Sequence, residues 1–167
     1  MTDINHIIFR LYLSALGPAC DVYDDRPGQP RHMGKVLNKH INYILYLNKS
    51  NKPEEVLKKY EEYGIRHLFV EVTGSQPDQW FARAFHESRT FIQMALSRDE
   101  NILIHCNDGV NVAPAIIIAF LLEQSEPGDD MLGKLRELLE RKHPMVNIEE
   151  SLWQQLVALE QQAKQLN

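Results

Sequence analysis

The sequence predicts an α/β domain built on a central, mainly parallel sheet flanked by helices. Two observations carry that class. Short apolar, β-branched segments alternate with longer segments of helical period, as in parallel strands joined by crossover helices. One helical segment is apolar on every side, and such a helix has to sit inside the domain. A chain of 167 residues has the length of a single domain with its own core.

The elements follow in order. Residues 17–34 hold Asp21, Asp24, Asp25, Pro27, Gly28 and Pro30. These are turn formers and charges with little to bury, so the segment reads as an irregular, solvated loop. Residues 41–47 are short, aromatic and β-branched, the signature of a buried strand. Pro53 then opens a helix with Glu54 and Glu55 in its first turn, where acids suit the helix dipole. Val56, Leu57 and Tyr60 give this helix an apolar side, and Gly64 ends it. Residues 65–72 form a second strand.

After a turn over residues 73–77, Phe81, Ala84, Phe85, Ser88, Ile92 and Ala95 mark one face of a long helix. Asp78 is placed to cap it. Residues 102–104 form a short strand that runs into His105 and Cys106. Residues 115–122 are the helix that is apolar all round. Met131, Leu132, Leu135, Leu138 and Leu139 stripe the next helix. Asn147 suits the N-cap of the last, with Glu150 three residues on, and Leu152, Leu156, Leu159, Ala163 and Leu166 form its stripe. Trp80 and Trp153 read either as partly buried anchors or as part of a partner surface.

Charge and composition exclude several classes. Lysine and arginine total 18 against 23 acids, a net charge of −5, so no basic stripe invites nucleic acid and no polybasic segment invites a membrane. No apolar run approaches the ~20 residues that span a bilayer, and the first residues lack a signal peptide's basic and apolar regions. Cys20 and Cys106 make no disulfide framework, and a reducing cytoplasmic or nuclear setting is expected. Cys20 reads as an incidental loop thiol and the acidic run as a solvated loop. No cofactor and no metal site are expected.

In parallel sheets, sites lie beyond the carboxyl ends of the strands. That rule selects the segment from His105 to Ala115: a strand end, a short turn containing Gly109, and a helix amino end with Pro114 in its first turn. Backbone N–H groups directed into such a turn, together with the helix dipole, make an anion site. A cysteine placed there is favoured as thiolate, which makes Cys106 a nucleophile position.

This segment resembles the phosphate loop of cysteine-dependent phosphatases, in which a His-Cys pair is followed by five loop residues, then Arg and Ser or Thr. The small dual-specificity branch of that superfamily is similar outside the loop too. Arg10-Leu11-Tyr12-Leu13-Ser14 resembles its early strand, and residues 41–47 its first core strand. Residues 84–92 resemble the helix before its catalytic strand, and His143-Pro144-Met145-Val146-Asn147 its turn into the final helix. The resemblance implies a phosphate loop over Asn107, Asp108, Gly109, Val110, Asn111, Val112 and Ala113, with Cys106 as the nucleophile position. His105 is expected to support the loop through hydrogen bonds.

The departures fall on catalytic positions. Val112 stands where the family has arginine, and Ala113 where it has Ser or Thr. The acid that protonates the leaving group belongs after the preceding core strand, and Asp78 is the nearest displaced candidate. A bidentate arginine–phosphate contact contributes roughly 3–6 kcal/mol, or about two to four decades of rate. General acid catalysis supplies another ~10²–10⁴. The expectation is a pseudophosphatase that binds or scaffolds a phosphoprotein or other protein partner. The competing expectation is a weakly active phosphatase with Cys106 as nucleophile and Arg31, His32 or Lys35 supplying the missing charge. A third is a protein-binding module that does not use the pocket.

Overall fold

The computed structural model describes residues 4–14, 32–49, 54–106 and 110–166. Five strands form one sheet: β1 (Asn5–Ile8), β2 (Leu11–Ser14), β3 (Ile41–Asn48), β4 (Arg66–Glu71) and β5 (Asn101–His105). Their order is β1-β2-β5-β3-β4. β1 and β2 pair antiparallel and the remaining neighbours pair parallel, so the sheet is mainly parallel as expected. The described helices are α1 (His32–Asn38), α2 (Glu54–Glu62), α3 (Pro77–Ser97), α4 (Val112–Gln124), α5 (Met131–Lys142) and α6 (Glu150–Gln165).

The last strand in sequence is central in space. Alternate residues of a strand face opposite sides of the sheet, and β5 is buried on both. Ile102, Ile104 and Cys106 join a cluster with Phe81, Ile92, Ile116 and Leu152 from α3, α4 and α6. Leu103 joins the opposite cluster with Val36 of α1 and Leu57 and Tyr60 of α2. This gives helix, sheet and helix layers, and explains why β5 reads as a continuous apolar run rather than an alternating one.

α4 is buried from Ala113 to Leu122. Its backbone groups bond within the helix, so an apolar surface on all sides carries no polar penalty in the core. α2 ends as the sequence predicts: Gly64 adopts φ 72°, and the Ile65 N–H donates to the Tyr60 carbonyl at 2.9 Å. This is a left-handed C-terminal stop that glycine adopts without a Cβ penalty.

His105 closes β5 on the α2 side. Its ring stacks on Tyr46, with centroids 4.3 Å apart, and its Nε2 lies 3.4 Å from the Tyr60 hydroxyl. Burial alone pushes its pKa down to about 3, so the imidazole is neutral. Among the described residues these are its ring contacts; residues 107–109, the loop it is expected to support, lie outside them.

Three expectations are corrected, and one strand is added. Residues 32–34 belong to α1 rather than to an irregular loop; residues 17–31, with Cys20 and the acidic run, lie outside the described residues, as does Pro53. β1 was not anticipated. Asp78 does not cap α3. Pro77 takes the first helical position, Gln76 is the cap, and Gln79 Oε1 accepts the Ser75 and Gln76 N–H groups at 3.1 and 3.4 Å. Nor does Asn147 cap α6: its N–H donates to the Val110 carbonyl at 2.8 Å, and the cap moves to Glu149.

Replacing Ile117, fully buried in α4, by alanine should lower the unfolding free energy by about 2–5 kcal/mol in a urea titration. The pH dependence of stability should carry the signature of His105. Above pH 6.5 the imidazole is neutral in both states. As pH falls from 6.5 towards 3, the unfolded chain takes up a proton that the folded chain refuses, so stability drops by up to about 1.4 kcal/mol per pH unit. His105→Phe should lose less stability than the wild type between about pH 7 and pH 5. Equal losses would contradict the assignment.

Candidate functional site

Cys106 is the first residue beyond the carboxyl end of β5, with parallel neighbours β2 and β3 on either side. Core packing around Ile102, Leu103 and Ile104 thus fixes where the thiol emerges. It is 4% exposed and lies in the wall of a hollow of about 210 Å³. Leu47, Val72 and Val112 supply the apolar lining; Asn48, Lys49, Asn111 and Glu149 supply the polar lining. Larger hollows lie along α3, α4 and α6, one of about 410 Å³ around Phe81, Phe85 and Arg89. The chemistry nevertheless selects the smaller one, because it contains the thiol and a helix amino end.

That helix is α4, which starts at Val112. The Ala113 N–H donates to Cys106 Sγ at 3.4 Å, so one backbone donor of the first turn points at the sulfur, in the arrangement that favours a thiolate. Asn107, Asp108 and Gly109 lie outside the described residues. Val110 and Asn111 are stitched to the segment before α6. The Asn147 N–H bonds the Val110 carbonyl at 2.8 Å, and the Glu149 N–H bonds Asn111 Oδ1 at 2.9 Å. Asn111 is the N-cap residue of α4, yet its side chain makes no cap bond to that helix; it holds α6 instead.

The floor of the hollow is fixed from β3. Asn48 is buried, donates through Nδ2 to the Tyr46 hydroxyl at 3.1 Å and accepts the Lys49 N–H at Oδ1 at 2.8 Å. Tyr46 in turn carries the His105 stack. Since His105 is neutral, it brings no positive charge to the neighbouring sulfur.

Val112 is half-buried, packs against the main core cluster and faces the hollow. Asp78 is exposed in the first turn of α3, and the hollow's lining does not include it. Lys35 lines a separate surface hollow with Ile4, Asn5 and Lys39 and is not among the described residues lining the one in front of Cys106. Arg31 and the side chain of His32 lie outside the described residues. Trp80 is buried in the core, and Trp153 is partly buried, with the Arg136 guanidinium 4.7 Å above its ring.

Two charged residues of the hollow were missed by sequence reasoning. Lys49 follows β3, so the rule that sites gather beyond strand carboxyl ends could have nominated it. Glu149 lies just after the segment 143–147, which resembles the family's late turn. Among the described residues, no cluster of three or more His, Cys, Asp or Glu side chains is placed to hold a metal ion, and no helix is long and apolar enough to cross a membrane.

Comparison with known proteins agrees with this geometry. Residues 28–162 match the model of the dual specificity phosphatase catalytic domain. The chain is 30% identical over 123 residues to human dual specificity protein phosphatase 22, covering 73% of this chain and 62% of that protein. It is 24% identical over 125 residues to the dual specificity protein phosphatase YVH1 of Plasmodium falciparum (isolate 3D7), covering 75% of this chain and 21% of that one. The chain thus spans less than two thirds of either relative's length. In fold it is similar to the human tyrosine phosphatase-like serine/threonine/tyrosine-interacting protein, with a TM-score of 0.71, 14% identity, and coverage of 99% of this chain and 98% of that one. With a cysteine at the end of a central strand, a buried helix starting behind it and a family match across most of its length, the chain belongs to the dual specificity phosphatase family.

Proposed function

We propose that this chain is a pseudophosphatase, which keeps the family fold without useful turnover and acts by binding protein partners, phosphorylated or not. The observation that carries this reading is Val112, an isopropyl group lining the hollow at the position where the family's arginine falls. Valine offers no donor to phosphate oxygens and no charge to hold the transition state. Ala113 keeps its backbone N–H on Cys106 but has no hydroxyl, and Asp78 is exposed on α3. These losses do not add, yet loss of the arginine or of the acid alone leaves a poor enzyme.

A weakly active phosphatase with Cys106 as nucleophile is the second reading. The Ala113 N–H at 3.4 Å from Sγ favours it, because the thiolate-stabilising part of the site persists. Turnover of a small aryl phosphate separates the two. Wild type should match Cys106→Ser, and Val112→Arg/Ala113→Ser should exceed both by about 10²-fold or more. Wild-type turnover clearly above that of Cys106→Ser would replace the first reading with the second.

A further inference from the structure

The two edges of the sheet are built differently. β1, at one edge, is four residues long and carries an irregularity between His6 and Ile8, and α5 packs against it. Shortness, bulges and a covering helix are common ways of blunting an edge. β4, at the other edge, runs for six residues from Arg66 to Glu71 in unbroken register with β3. It contains no proline, glycine or lysine. Half-buried Leu68 and Phe69 occupy its middle, and exposed Arg66 and Glu71 stand at its ends.

Hydrogen bonds fix which backbone groups this edge offers. The Val72 N–H donates to the Asn48 carbonyl of β3 at 2.9 Å. By strand alternation, Arg66, Leu68 and Val70 also turn their backbone groups to β3, while His67, Phe69 and Glu71 turn theirs outward. Among the described residues, the bond that reaches these outward groups runs from Arg83 Nη2 to the Glu71 carbonyl at 2.8 Å. A carbonyl oxygen has a second lone pair for another donor.

We propose that β4 pairs antiparallel with β4 of a second copy, about a two-fold axis at Phe69, giving one continuous sheet across both copies. A two-fold axis normal to an antiparallel pair sets one residue opposite its own copy. Phe69 is the centre that uses every outward residue of β4: Phe69 meets Phe69, and His67 meets Glu71 of the second copy. An axis at Leu68 or Val70 would leave Glu71 or His67 opposite a residue beyond the strand. Charge favours the same arrangement. Arg66 and His67 stand at the amino end of β4 and Glu71 at the carboxyl end, so antiparallel pairing lays unlike ends together. Strand directions reverse across the axis, so the two Cys106 hollows open at opposite ends of the joined sheet.

Sedimentation velocity tests the pairing. Wild type should form a concentration-dependent dimer, and Glu71→Lys should raise its dissociation constant about tenfold, because symmetry sets the new lysine opposite His67 twice. Disulfide trapping in a Cys20→Ser/Cys106→Ser background reads the register, with oxidised glutathione as the electron acceptor. His67→Cys/Glu71→Cys should give covalent dimers, since its thiols face each other across the axis. Neither single variant should, because like positions then lie about 14 Å apart. Wild type that stays monomeric at every concentration overturns the proposal and leaves this edge to an extended segment of another protein. A dimer that Glu71→Lys leaves intact, or that the double variant traps no better than the singles, overturns it too.

Discussion

Burial of β5 and α4 as one unit is the constraint from which the rest of the structure follows. β5 lies between two parallel neighbours and is covered on both faces, and α4 is enclosed from Ala113 to Leu122. Neither element can slide along its axis without moving apolar side chains into water or voids, and cores of native density resist both. The thiol of Cys106 and the first N–H groups of α4 are consequently held against each other by packing well away from the hollow. A site of this kind keeps its geometry when side chains around its mouth are exchanged.

A second tie acts from the far end of the chain. Val110 and Asn111 accept N–H groups from Asn147 and Glu149, so the segment before α6 and the start of α4 fix one another. This tie brings Glu149 to the hollow and makes it, rather than Asn147, the cap residue of α6. On the other flank, stacking of His105 on Tyr46 and the Tyr46–Asn48–Lys49 bonds set the floor and place the lysine. The charge pattern of the hollow thus depends on segments that converge on Cys106 from β3 and from the approach to α6.

Legibility in the sequence tracked burial. β3, β5 and α4 were readable as continuous apolar runs, and α3 from an apolar stripe of helical period. β1 and α1 were not, being 4 and 7 residues long with Ile7 and Val36 as their buried anchors. The caps of α3 and α6 were misplaced for a related reason. Pro77 and Gln79 settle the first locally, but the second depends on Asn111, 38 residues from Glu149. For the site, Cys106, Val112 and Ala113 were legible from one contiguous segment. Lys49 and Glu149 were not, because only the assembled fold brings them to the thiol.

The account rests on the claim that Val112 deprives the hollow of its grip on phosphate while the scaffold around it stays intact. Calorimetric titration of vanadate, an oxyanion of phosphate's shape, into wild type and Val112→Arg measures that grip without any turnover. The account predicts no saturable binding to wild type and clear one-to-one binding to Val112→Arg. Wild type binding vanadate as tightly as the arginine variant would contradict it, and would mean that another group already supplies the missing charge.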